Sequence, residues 1–158
     1  MATPRRPWES DFSSEYHAML ACTRLITWLG LSSIEYGIAR ADYDRLCVWL
    51  DLINARGLII RNTILSIYRA RSSGNSRPDW MVKALEMGHY YAEEIISSAQ
   101  AARQRLDEDN WQHAGNETAR CLAGALIIEG YLLAGPAPLG DEAEAVREAQ
   151  EIVAALDR

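Results

Sequence analysis

The chain is poor in the features that announce most specialised proteins. It holds one phenylalanine, Phe12, and one lysine, Lys83. No apolar run approaches the ~20 residues needed to cross a bilayer. The most apolar window, residues 121–135, is shorter than that and carries Glu129. Three cysteines, Cys22, Cys47 and Cys121, stand far apart among apolar neighbours. An odd number with no CxxC pair argues against a disulfide framework or a zinc spacing, and reads as small core residues of a reducing compartment. There is no GxSxG, P-loop, GxGxxG or HExxH motif, so the familiar signatures of acyl transfer, phosphate binding, dinucleotide binding and zinc hydrolysis are missing. The first residues, Met-Ala-Thr-Pro-Arg-Arg-Pro-Trp, carry positive charge without the apolar stretch of a signal peptide, and Glu9 and Asp11 follow at once. The expected location is the cytoplasm.

What is present fits one globular domain. The 158 residues are 49% hydrophobic and 24% charged, enough for a single core and far from the balance of a disordered chain. A net charge of -6 favours solubility and disfavours sequence-independent capture by nucleic acid or anionic lipid. The charge is lopsided: residues 1–78 carry 10 Arg against 7 acids, and residues 79–158 carry 6 basic groups against 15 acids. An acidic C-terminal half could steer a basic partner.

Apolar spacing predicts helices throughout. Residues 1–12 read as a flexible arm, and residues 13–158 as a single helical domain. A first helix is expected from about Ser13 to Leu29, with Gly30 as its C-terminal cap. Ser32 and Glu35 have the spacing of a capping box, predicting a short second helix that ends near Arg40. Asp42 can cap a third, from Tyr43 to about Arg71. Its seam is Leu46, Leu50, Ile53, Gly57, Ile60, Ile64 and Ile67, in alternating steps of four and three. Cys47, Leu58 and Leu65 on one side of it and Leu52 and Ile59 on the other widen the apolar arc to roughly two-thirds of the circumference, which predicts a central helix. Gly57 could instead end one helix and start another. After the polar loop 72–78, a fourth helix is predicted over Trp80 to Leu106, with its seam from Met81 through Leu85, Gly88, Ala92, Ile95, Ala99 and Ala102. Asp109 and Gln112 then form a capping box for a fifth helix that reaches Leu133, and Asp141 and Glu144 one for a last helix through Leu156. The fold class is all-α, a compact bundle of five to six mostly antiparallel helices.

Three kinds of chemistry can be placed on this frame. Glu86-Met-Gly-His89 has the Glu-x-x-His spacing of carboxylate-bridged metal bundles, and Glu129 falls level with it if the fourth and fifth helices form a hairpin. Such centres need a second motif, which the chain lacks, so neither a bound metal nor a cofactor is expected. His89/Glu93 and His113/Glu117 also sit four apart, but in that hairpin they lie roughly 20 Å from each other. Nucleic-acid contact would draw on arginines of the first half, chiefly Arg45 and Arg56, which share a side; the others scatter around the helix, and Asp42, Asp44 and Asp51 interrupt them. Interaction with a protein has the firmest basis. The fourth helix carries a second apolar patch of Trp80, Ala84, Met87 and Tyr91 away from its seam, and aromatic residues and Met are enriched at interface cores. The expected function is therefore that of a non-enzymatic interaction module (a regulator, an inhibitor or immunity-type protein, or a small subunit of an assembly) whose partner is a protein, with a second copy of the chain as the simplest choice. The alternatives are a metal- or carboxylate-dependent helical enzyme and a nucleic-acid-binding accessory subunit.

Overall fold

The seams foreseen from spacing are the core. In the computed structural model, which describes residues 12–69 and 79–133 apart from the side chains of residues 79–81, 131 and 132, four helices with their π-helical extensions account for nearly all of the described residues. Helix α1 spans Ser13–Ser32 and runs on into a wider, π-helical turn, Ser33–Ile38; α2 spans Tyr43–Arg69, α3 Asp79–Asp107 and α4 Trp111–Ile128, with a second π-helical turn over Glu129–Leu133. No strand occurs among the described residues. Every large side chain of the α2 seam (Leu46, Leu50, Ile53, Ile60, Ile64 and Ile67) is wholly buried. On α3, Leu85, Ala92, Ile95, Ala99, Ala102 and Leu106 are buried in the same cluster.

Cross-helix contacts show that all neighbours run antiparallel. Tyr43 at the start of α2 donates from its hydroxyl to Asp107 at the end of α3 (2.7 Å), while Arg61, further down α2, meets Glu93 at 3.5 Å. Cys121 of α4 donates its thiol to the Ile95 carbonyl of α3, the register expected of a hairpin folded about residues 107–109. Helix α4 closes the ring on α1: a side chain at Gly30 would come within 3.3 Å of the Leu122 Cβ, and one at Gly115 would touch Ile38. The ring is therefore α1–α2–α3–α4, with α2 and α4 on opposite corners.

The two described corners are built alike. At each, a residue in the left-handed region closes one helix: Ala41 at φ 52° and Asp109 at φ 58°. Asp42 N–H donates to the Gly37 carbonyl and Asn110 N–H to the Arg105 carbonyl, the six-to-one bond of a Schellman turn. The next residue then caps the following helix, Asp42 accepting from Arg45 N–H and Asn110 from His113 N–H, each at 3.2 Å.

Several expectations are corrected by this geometry. Gly30 ends nothing; it sits inside α1 where that helix approaches α4. The box at Ser32 and Glu35 does not form, because Ser32 has helical dihedrals and its side chain caps no N–H. The first and second expected helices are thus one continuous rod, so the described bundle has four helices rather than five to six. Nor does α2 break at Gly57, where an added Cβ would lie 3.0 Å from Ile96 and 3.2 Å from Ile95. Asn110, not Asp109, caps α4. Of the expected arm only Phe12 is described, packed against the core, and the expected helix at residues 141–156 lies outside the described residues.

Candidate functional site

Helix α2 occupies a corner rather than the centre, and that leaves one of its apolar faces in water. Val48, Leu52, Ala55 and Ile59 step by four, three and four, so they form a single stripe. At 100° per residue this stripe lies roughly 140° from the buried seam. Val48 is 58% exposed, Leu52 40% and Ile59 39%. The stripe spans roughly 16 Å of the helix. By spacing alone Leu52 and Ile59 belong to a wide apolar arc expected to face the interior, and the structure leaves them on the outside.

Charged residues border the stripe differently on its two sides. Toward α3 lies Asp51, whose Oδ2 accepts from Arg103 Nη1 at 2.9 Å; the same guanidinium donates to the Cys47 carbonyl at 3.2 Å. Toward α1 lies Arg56, half-buried beside the Cys22 thiol. Burial pushes that thiol above its ordinary range, and Arg56 opposes the shift only in part. The Cys121 thiol, fully enclosed, is pushed up further by burial, so neither sulfur is an activated nucleophile.

Between α2 and α3 runs an open groove of about 370 Å³, with Leu50 and Ala99 at its floor and Asp51, Asn54, Arg103 and Asp107 among its polar lining. Asn54 Oδ1 is buried there without a hydrogen-bond partner. At the upper end, donation to Asp107 raises the Tyr43 hydroxyl to about 12, because the carboxylate favours the protonated phenol. These groups hold two helices together; none forms a nucleophile–base pair.

No protein-family model, curated protein or solved structure matches the chain. Geometry therefore carries the functional case.

The residues singled out from sequence are not brought together as one site. Tyr91 is buried in the core, and Met87 is half-buried against it; the accessible ring of that stretch is Tyr90, 58% exposed. Trp80 lies in the first turn of α3, with its side chain outside the described residues. The second apolar side of α3 is thus partly spent inside the bundle: a Cβ on Gly124 of α4 would meet the backbone carbonyl of Tyr91 at 3.6 Å. Glu86 is exposed. His89 faces Glu93 at 3.8 Å, and Glu129 pairs across to Arg24 of α1 at 3.7 Å rather than with His89. Among the described residues, no three His, Cys, Asp or Glu side chains gather as metal ligands. Arg45 is paired with Asp42 at 3.6 Å and lies 5.9 Å from the Trp49 ring centre, while Arg56 turns toward α1. The charge of Arg45 is locally committed, and with Arg56 it forms no stripe that could track a phosphate backbone. No helix among the described residues is long and apolar enough to cross a membrane.

Proposed function

We propose that this protein is a non-enzymatic interaction module whose working surface is the outer face of α2. The observation that carries this reading is the exposed stripe of Val48, Leu52 and Ile59, on a helix whose opposite face is buried in the bundle. Apolar side chains aligned on one face and rimmed by charge are the composition of an interface core with a polar rim. Single exposed leucines are ordinary; three large apolar groups in register over three turns are not. The acidic balance of the C-terminal half would speed encounter with a basic partner without setting the docked geometry. The role is that of a regulator, an inhibitor or a small subunit of an assembly.

Leu52→Glu tests this directly. The substitution places a charge mid-stripe and leaves the seam intact, so the helical circular dichroism and melting temperature are expected to stay as in the parent. Proteins cross-linked to the parent chain in its host are expected to be lost from the variant and kept by a Glu86→Ala, His89→Ala control. An unchanged cross-linking pattern in Leu52→Glu would overturn the reading. So would a turnover activity that disappeared in the control.

A further inference from the structure

We infer that the occupant of the α2 face is a second copy of this chain, with the two α2 helices running parallel about a two-fold axis. The inference rests on the interaction reading above and specifies its partner. The four-three-four stepping of Val48, Leu52, Ala55 and Ile59 is the stepping of a knobs-into-holes seam. Val48 and Ala55 take one seam position, and Leu52 and Ile59 take the other. Ala55 at the middle lets two backbones approach closely.

The rim charges select both the partner and the direction. In a parallel two-fold pair, the α3-side flank of one helix faces the α1-side flank of the other, and residues five apart in sequence meet across the seam. Asp51 stands on the first flank, Arg56 on the second, and they are five apart. The Asp51 side chain is 69% exposed and uses Oδ2 for Arg103, leaving Oδ1 to accept from Arg56 of the second copy. The symmetry makes this contact twice. In an antiparallel pair each flank would instead meet itself. The Asp51–Arg56 contact would then be lost, because each of these residues would lie on the side of its own counterpart. A heterologous partner would have to reproduce this charge order; the chain already carries it. Arg45 at one end and Asn62 and Ser66 at the other continue the stepping with polar side chains, so the apolar seam is short and association depends on concentration.

Sedimentation of the purified full chain and thiol cross-linking together decide the matter. The 17.7 kDa chain is expected to approach twice that mass as concentration rises, and Leu52→Glu to remain at the monomer mass. In a parallel pair Ala55 faces its own copy across the axis, so Ala55→Cys is expected to form a disulfide-linked dimer on mild oxidation. The native cysteines are buried and do not compete. Arg56→Glu alone is expected to weaken association roughly fivefold to tenfold, through two rim contacts per dimer. Adding Asp51→Arg together with Arg103→Glu, which reverses the bond to α3 as well, is expected to restore it by reversing both partners, a rescue that a merely structural role would not give. A chain that stays monomeric at every concentration overturns the inference. So does a dimer that Ala55→Cys fails to link, or one that the charge reversal fails to rescue. A strict monomer whose host cross-links vanish in Leu52→Glu would remove self-association alone and leave the interaction reading standing.

Discussion

Ile59 and Ile60 are the same residue one position apart on α2, yet Ile60 has no exposed surface and Ile59 keeps 39% of its own. The contrast extends along the helix. Leu50 lies in the core, and Leu52, two residues on, in water. What separates the members of each pair is the arc of α2 that α1 and α3 cover between them. A corner helix in a four-membered ring is covered on its inward side only, so an apolar arc wider than that side must leave a remainder outside. On α2 the remainder is ordered into a stripe, which is why it reads as a surface with a use.

The largest effect should separate the two isoleucines. Ile60→Ala opens a cavity in a wholly enclosed site and is expected to cost ~2–5 kcal/mol of unfolding free energy. Ile59→Ala should change stability by less than ~1 kcal/mol while weakening association, because its side chain is already hydrated in the single chain. Urea unfolding measures both, and similar losses at the two positions would erase the distinction between the faces. Next in size is Gly57→Val on the inner face. Ile95 and Ile96 stand against the bare backbone there, so overpacking is expected to destabilise by ~1–3 kcal/mol. A neutral result would mean that α2 and α3 are less closely applied than the contacts require.

The smallest effect concerns the end of α2, where Tyr43 is tied to Asp107. Its folded pKa is raised from the usual 10 to about 12 because the protonated phenol is the donor. Below the unfolded value near 10 this contact contributes in full; as pH rises from there through about 12, the contribution is lost. The ultraviolet ionisation curve of the parent should therefore contain a late step that Tyr43→Phe removes. A curve whose alkaline end is unchanged by Tyr43→Phe would show that the corner is untied in solution.

Much of the bundle is legible in the sequence. The seams of α2 and α3 contain a buried residue at every described position, because apolar spacing of 3.6 is a direct imprint of one covered face. Boundaries were less legible, and glycine was the reason. Gly30 looked like a cap and Gly57 like a break, yet both are places where a second helix needs the space that a side chain would fill. The turns that close the rods fall on Ala41 and Asp109, residues that carry no such signal. The candidate site was hidden for a similar reason. Periodicity says that a residue lies on an apolar face, not whether another helix is there to cover it. Tyr91 and Leu52 were both read from apolar patterns, and their positions relative to solvent came out reversed.

Local chemistry alone determined that this chain makes long amphipathic helices, where their seams run, and that Asp42 would start the second rod. Those properties depend on neighbours three and four residues away, which any sequence displays. Tertiary structure decided which glycines are contacts, that Glu129 turns to Arg24, and that one apolar stripe of α2 stays uncovered. These are relations between residues distant in the chain. They arise only once four rods have chosen their neighbours and used up the surfaces on which they meet.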